Sequence, residues 1–251
     1  MKKSIKIIIS LLVVVAVAAV GVFGFVFLRI KNAVLPEGFT ITAHTGCEET
    51  EDNSLESIKI GYESGADIVE FDLAFTSDGE AVLSHDEPQV GCVTLDEAFA
   101  LIKGIPDLEV NVDCKSVANL KKVSELAEKY HIKDRIFYTG IREEDVATVK
   151  AQTPDIAYWL NYDVDLEKNK DEKYLLSLAN KTRELGAVGI NMNYKSCTKE
   201  LVEVFHQEGL LVSIWTVNET SDMIKVINLG VDNITSRNPS DLTKFVSINK
   251  G

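Results

Sequence analysis

The segment GADIVEFDLAFTSDGEAVLSHDEP, Gly65–Pro88, carries a short apolar run and an acidic pair from which the rest of the chain can be interpreted. Ala66–Phe71 has the length of a buried strand, and two carboxylates, Glu70 and Asp72, stand at its end. Side chains alternate along a strand, so both acids point to the same side. Two converging carboxylates repel each other unless a cation or a donor lies between them. The pair therefore predicts a hard divalent cation.

The residues after this strand predict a return to the same place. Thr76–Gly79, TSDG, has the composition of a turn, and Ala81–Ser84 is a short strand that leads to His85 and Asp86. The segment therefore predicts a metal site with a proton-transfer group beside it. A less specific interpretation remains open, because an E-x-D pair followed by H-D also arises by chance in soluble proteins.

The rest of the chain alternates strands with helices. The predicted strands are Phe39–Ala43, Ala66–Phe71, Leu108–Cys114, Arg135–Tyr138, Ile156–Leu160, Val188–Asn191, Leu211–Thr216 and Asn233–Thr235. The predicted helices are Ser54–Ser64, Leu95–Lys103, Val117–Tyr130, Glu143–Ala151, Glu172–Leu185, Lys199–Glu208, Ser221–Leu229 and Ser240–Ile248. Strict alternation predicts a parallel sheet with right-handed crossovers, and eight units favour a closed (β/α)₈ TIM barrel. An open doubly wound sheet is the weaker alternative, because no glycine-rich phosphate loop follows the first strand.

In a closed barrel the C-terminal ends of all strands meet at one face, which carries the chemistry. The polar residues and the tryptophan predicted there are His44, Glu70, Asp72, Asp113, Lys115, Asn191, Trp215 and Asn218. Asp113 can complete a three-carboxylate site for one Mg²⁺ or Ca²⁺ ion. His44 and His85 suit acid and base work, since an imidazole titrates near working pH. The remaining histidines, His131 and His206, fall away from this face.

The N-terminal residues are of a different kind. Ile7–Leu28 is an uninterrupted apolar run, flanked by basic residues, that would span roughly 33 Å as a helix. It predicts a single transmembrane signal anchor over residues 1–31, a linker over 32–38 and the barrel over 39–251. A cleaved signal peptide ending near Ala16-Val17-Ala18 is the alternative. The basic flank favours a cytoplasmic N-terminus, and hence a membrane protein with an extracytoplasmic catalytic domain.

The charge and the cysteine content of the chain limit the classes of partner that it can have. The net charge of −13 argues against nucleic acid as a partner. Small molecules and the membrane remain as the expected partners. The four cysteines have no zinc spacing. Free thiols are expected, with a Cys47–Cys92 disulfide as the alternative in an oxidising exterior.

The chain resembles the glycerophosphodiester phosphodiesterases, a family of phospholipase C-like TIM barrels, in the order and spacing of several short motifs. These are His44-Thr45-Gly46, Asp52-Asn53-Ser54, Gly65-Ala66-Asp67, Glu70-Phe71-Asp72, Thr76-Ser77-Asp78-Gly79 and His85-Asp86, against the family's H-R-G, E-N-T, G-A-D, E-x-D, T-x-D-G and H-D. Nearer the C-terminus, Trp215–Asn218 is similar to the family's W-T-V-N, and Gly230–Ile234 to its G-V-D-G-I.

The resemblance implies an activity and a role for each residue. A glycerophosphodiester, free or lipid-derived, would be hydrolysed to glycerol 3-phosphate and an alcohol, through attack by water or by a neighbouring substrate hydroxyl. It implies that His44 and His85 are the catalytic pair. Glu70, Asp72 and Asp113 would bind one divalent cation, Mg²⁺ or Ca²⁺. Lys115 would contact the phosphate, and Trp215 would form an apolar wall for the substrate.

Departures from the family pattern leave alternatives open. Thr45 replaces the arginine beside the first histidine, Asp52 and Asp113 each replace a glutamate, and Arg237 stands where an aspartate is common. A hydroxyl cannot reproduce a bidentate phosphate clamp, so we expect Arg237 to supply the lost charge, with Thr45 also at the substrate. The alternatives are a lysophospholipase D or sphingomyelinase D-like phospholipase, and a catalytically degenerate barrel that serves as a binding domain.

Overall fold

Eight parallel strands close into a barrel in the computed structural model, which describes residues 35–249. With the short antiparallel strand β3, the described residues form nine strands: β1 Thr40–Ala43, β2 Ile68–Phe75, β3 Ala81–Leu83, β4 Glu109–Cys114, β5 Ile136–Ile141, β6 Tyr158–Asn161, β7 Gly189–Asn193, β8 Leu211–Trp215 and β9 Asn233–Ser236. β1 pairs in parallel with both β9 and β2, so the sheet closes on itself. The predicted (β/α)₈ barrel is confirmed, and the open sheet is excluded.

Helices surround the barrel, as a parallel sheet with crossover connections requires. They are α1 Leu55–Glu63, α2 Leu95–Lys103, α3 Leu120–Tyr130, α4 Val146–Gln152, α5 Glu172–Leu185, α6 Lys199–Gln207, α7 Thr220–Ile227 and α8 Pro239–Asn249. In α2, the buried residues Leu95, Ala98, Phe99 and Ile102 follow helical spacing and pack into the core. Thr94 begins this helix with a capping box, which satisfies the first free amides.

The short strand β3 is antiparallel to β2 and returns the chain to the mouth of the barrel. It pairs Leu83 with Leu73, and the Ser84 amide donates to the Asp72 carbonyl at 3.0 Å. The predicted turn over Thr76–Gly79 joins the two strands, with Gly79 at φ 87°. β2 extends beyond the predicted end at Phe71 because β3 satisfies the hydrogen bonds of its last residues.

Near the C-terminal ends of the strands, alternation turns apolar side chains toward the helices and polar side chains toward the cavity. In β4, Val110 and Val112 belong to the apolar core under the helices, whereas Asn111 and Asp113 line the interior cavity. The hydrophobic effect fixes this register, since a shift by one residue would bury the acid among the helices. Polar side chains are thereby presented at the C-terminal ends of the strands.

The prediction of a single-pass membrane protein requires correction. Among residues 35–249, no helix is long and apolar enough to cross a bilayer. The longest described helix, α5, has 14 residues, or about 21 Å, against a hydrocarbon core of about 30 Å. Ile7–Leu28, on which the predicted anchor rested, lies outside the described residues. The membrane localisation and the extracytoplasmic placement are therefore withdrawn.

Candidate active site

A cavity of about 730 Å³ opens at the C-terminal ends of the strands. All of the residues predicted to act in the site line it: His44, Thr45, Glu70, Asp72, His85, Asp113, Lys115, Trp215 and Arg237. Four of them lie on β2, β4 and β8, and the others lie in the loops that follow β1, β3, β4 and β9. Closure of the barrel brings these residues together, although His44 and Arg237 are 193 positions apart in the sequence.

Three carboxylates form a cluster at the bottom of this cavity. Asp72 and Asp113 are direct partners in the parallel register of β2 and β4, and Glu70 lies two residues before Asp72 on the same side. One oxygen from each of the three lies within 4.8 Å of the others. Burial raises the pKa of Glu70 well above its usual value, and the charges of Asp72 and Asp113 add to this effect. The cluster is therefore costly to ionise without a cation.

One oxygen of each carboxylate is held by a neutral donor. The contacts are Thr45 N–H to Glu70 Oε2 at 2.9 Å, Asn53 Nδ2 to Asp72 Oδ2 at 2.9 Å, and Thr139 Oγ1 to Asp113 Oδ1 at 2.7 Å. These bonds orient the carboxylates and leave their other oxygens directed elsewhere. Fixed donors of this kind commonly position metal ligands.

Lys115 supplies a positive charge beside the cluster. Its Nζ lies 2.9 Å from Asp72 Oδ1 and 2.5 Å from Asp113 Oδ2. Burial alone would lower the pKa of Lys115, but the carboxylates of Asp113 and Asp72 outweigh it and raise the pKa above its usual value. One ammonium against three carboxylates still leaves an excess of negative charge. Oxygen donors at this spacing fit a hard divalent cation such as Mg²⁺ or Ca²⁺.

His44 lies at the end of β1 with one nitrogen fixed. Its Nδ1 lies 2.9 Å from the Thr45 carbonyl oxygen, which can only accept, so Nδ1 carries the proton. Burial lowers the pKa of His44, and the charge of Arg237 acts in the same direction. The neutral imidazole therefore keeps a lone pair on Nε2, as a general base requires.

His85 occupies the rim of the cavity, in the loop after β3. Its Nδ1 lies 2.8 Å from the Asp86 carboxylate, and its side chain is 68% exposed. The carboxylate fixes the ring and leaves Nε2 as the other nitrogen. The two histidines thus differ in environment, one half-buried at the end of a strand and one exposed on a loop.

Arg237 lines the cavity after β9 and is held by Asp52. Its Nη1 and Nη2 lie 2.9 and 3.0 Å from the two oxygens of that carboxylate. Gly46 packs against the pair at φ 70°, and a Cβ there would lie 1.8 Å from Asp52 Oδ1. The Arg237 amide donates to Asn218 Oδ1 at 2.9 Å, which fixes its backbone.

Comparison with known proteins agrees with this geometry. Residues 41–111 and 106–240 match the profile of the glycerophosphoryl diester phosphodiesterase family. The chain belongs to this family. The resemblance predicted from the motifs is thereby confirmed, and with it the assignment to the phosphodiesterases.

Individual relatives cover most of the chain. A glycerophosphodiester phosphodiesterase from Caldanaerobacter subterraneus is 26% identical over 82% of this chain and 97% of its own length. A crystal structure of a glycerophosphodiester phosphodiesterase from Parabacteroides distasonis has a TM-score of 0.72 at 20% identity, covering 85% of this chain and 99% of that one. A phosphodiesterase from Oleispira antarctica, solved in complex with the product sn-glycerol-3-phosphate, has a TM-score of 0.71 at 18% identity, covering 85% and 97%.

Thr45 and Trp215 lie in the cavity with different environments. Thr45 is buried, and its hydroxyl accepts from the Asn53 amide. Thr45 stands where the family pattern has an arginine, and its shorter side chain therefore links the end of β1 to the loop before α1. Trp215 ends β8, and its Nε1 is buried without a hydrogen-bond partner among residues 35–249. Substrate contact by either residue stays a prediction.

Several residues of the site were not predicted from the sequence. The sequence allows either Asn53 or Ser54 to cap α1; Ser54 caps it, and Asn53 holds Asp72 through the nitrogen and the oxygen of its side-chain amide. Thr139 and Arg142 also line the cavity. Asn111 has a visible signal, because it alternates with valines as an inward position. The four cysteines are free, so the Cys47–Cys92 disulfide is absent and the default expectation holds.

Proposed function

We propose that this family member hydrolyses glycerophosphodiesters to sn-glycerol 3-phosphate and an alcohol, with one divalent cation, Mg²⁺ or Ca²⁺, held by Glu70, Asp72 and Asp113. One observation carries the proposal: two histidines and three carboxylates line the same cavity. A domain retained only for binding would not need these groups together. When bound, the cation withdraws charge from the phosphoryl oxygens.

His44 acts as the general base in this proposal. Its lowered pKa keeps the ring neutral, and the Thr45 carbonyl leaves Nε2 free to take a proton. The proton comes from the attacking group, which is water or a neighbouring hydroxyl of the substrate. A positioned base of this kind contributes about 10²–10⁴-fold to the rate.

His85 acts as the general acid. The Asp86 carboxylate accepts from Nδ1, which directs Nε2 to deliver its proton to the leaving alcohol oxygen. Its exposure suits this role, because the alcohol must leave through the mouth of the cavity. The assignment of base and acid thus follows from the different environments of the two rings.

Three further residues bind the substrate. Lys115 and Arg237 contact the phosphate oxygens, which are otherwise surrounded by carboxylates. Asp52 holds Arg237 in place while leaving N–H groups of the guanidinium for the substrate. Trp215 forms an apolar wall beside the alcohol or glycerol group.

The lining of the cavity favours a small polar diester over an acyl chain. Apart from Cys114, Val117, Tyr162 and Trp215, the lining residues are polar or charged, or glycine. An acyl chain would need a continuous apolar trough to recover its transfer free energy. A phospholipase acting on lysophospholipids is therefore the less supported function.

The test is release of glycerol 3-phosphate from glycerophosphocholine and glycerophosphoglycerol by the full chain, with Mg²⁺, Ca²⁺ or a chelator. We expect cation-dependent release, a loss of about 10²-fold or more in His85→Ala, and no change in His131→Ala. Cation-independent release, or equal rates in the two variants, would contradict the proposal.

A further inference from the structure

Lys115 lines the cavity beside the carboxylate cluster. Its ammonium contacts Asp72 Oδ1 and Asp113 Oδ2, at 2.9 and 2.5 Å. The other oxygen of each carboxylate is already engaged by a neutral donor, from Asn53 and Thr139 respectively. The ammonium therefore contacts the oxygen of each carboxylate that Asn53 or Thr139 leaves free.

A divalent cation on the same oxygens would face the charge of Lys115 at close range. Two positive charges a few ångströms apart repel strongly in a site of low dielectric. The carboxylates cannot move away easily, because Asp72 and Asp113 are 5% and 15% exposed and each is held by its donor. Lys115 is 29% exposed on a long flexible stem, so it is the partner that can move.

We infer that Lys115 competes with the divalent cation for Asp72 Oδ1 and Asp113 Oδ2, and that its release couples cation binding to phosphate binding. The inference rests on the proposed function, since it assigns the released ammonium to the substrate phosphate. Without a cation, Lys115 neutralises the cluster. With a cation, its charge becomes available to a phosphate at the mouth.

Coupling of this kind is reciprocal. If the cation strengthens phosphate binding by a given factor, phosphate strengthens cation binding by the same factor. Removal of the ammonium has two separate effects on this scheme. Cation binding loses its competitor and tightens, and the part of the coupling that passes through Lys115 is lost.

The test is calorimetric titration of Mg²⁺ and Ca²⁺ into the full chain and into Lys115→Met, which keeps the length of the side chain and removes its charge. Each titration is repeated with methyl phosphate, a soluble phosphate monoester. We expect Lys115→Met to bind the cation about tenfold more tightly or better without phosphate. We also expect phosphate to strengthen cation binding less than in the unmodified chain.

Arg142→Gln is the matched control, because Arg142 lines the same cavity but pairs with Asp163 rather than with the cluster. Arg142→Gln should change the cation affinity, and the effect of phosphate on that affinity, less than Lys115→Met does. Equal or weaker cation affinity in Lys115→Met, an unchanged effect of phosphate, or an equal response in the control would overturn the inference. Glycerophosphodiester turnover by the unmodified chain, measured separately, tests the proposed function independently of this result.

Discussion

His44 is the residue on which the proposed chemistry depends most directly. Its function as a base requires a neutral ring, and two features of the fold favour it: burial and the nearby charge of Arg237, whereas the hydrogen bond to the Thr45 carbonyl raises the pKa of His44 and fixes which nitrogen carries the proton. Burial lowers the pKa of His44 most, and Arg237 lowers it further. The arginine thus affects both the base and, in the proposal, the phosphate.

Replacing Arg237 should therefore change the pH dependence of catalysis. In Arg237→Gln, one cause of the lowered pKa of His44 is lost, and Asp52, left unpaired, favours the protonated ring. The base then becomes neutral only at higher pH. We expect the acid limb of the kcat/KM profile to shift to higher pH, together with an increase of about tenfold in KM from the lost phosphate contact.

The control for this prediction is Arg142→Gln, which removes the other arginine that lines the cavity. It should leave the acid limb of kcat/KM in place. An acid limb in Arg237→Gln that coincides with that of the unmodified chain would exclude the assigned influence of Arg237 on His44.

Among the strands, β5 carries an irregularity beside the carboxylate cluster. Its register with β6 shifts between Tyr138 and Ile141, and Gly140 lies at this bulge with φ 74°. The Gly140 amide donates to Asn161 Oδ1 at 2.9 Å. The bulge brings the backbone of β5 against the end of β4, where a side chain at Gly140 would not fit.

Gly140→Ala should disturb the carboxylate cluster. Its Cβ would lie 2.5 Å from the Cys114 carbonyl oxygen and 2.9 Å from Asp113 Oδ1, so Asp113 must move. We expect cation affinity, measured by calorimetry, to fall about tenfold or more. Gly209→Ala has the same strained backbone, with φ 72°, but no described atom within 4 Å of its Cβ. Equal cation affinities in the two variants would contradict the assigned contact.

Much of the fold could be predicted from local patterns, but the supporting contacts could not. The alternation of Glu70 with Asp72 and of Asn111 with Asp113 is visible in the sequence. The bond from Thr139 to Asp113 joins residues 26 positions apart, and the Arg237–Asp52 pair spans 185 positions. The helix predicted from Val117 begins at Leu120, and the Gln152 side chain holds the Val117 carbonyl outside it. Such contacts depend on the closed barrel.

At the scale of the molecule, the barrel closes where the last strand meets the first. Asn233 of β9 donates to Thr40 Oγ1 at 2.9 Å and Thr42 Oγ1 at 2.8 Å, and it accepts from Ser213 Oγ at 3.0 Å. This amide, where the family pattern has glycine, bonds hydroxyls on the two strands that flank β9, namely β1 and β8.

Removing that amide should destabilise the whole domain. Asn233→Ala leaves buried hydroxyls without their partner, and we expect the free energy of unfolding to fall by about 1–3 kcal/mol. Urea denaturation measures this loss. Asn228 is exposed, and among the described residues its side-chain amide donates only to the Ile224 carbonyl of the preceding helix. Asn228→Ala should therefore lower the free energy of unfolding by much less. A similar loss in both variants would show that Asn233 does not specifically stabilise the closure.

The central claim is that this barrel cleaves a glycerophosphodiester between phosphorus and the alcohol. The most direct measurement is ³¹P NMR of glycerophosphocholine incubated with the full chain and Mg²⁺ or Ca²⁺. We expect the diester resonance to be replaced by that of glycerol 3-phosphate, and Glu70→Gln or a chelator to prevent this. Appearance of phosphocholine instead, or an unchanged diester in the presence of a cation that binds the chain, would contradict it.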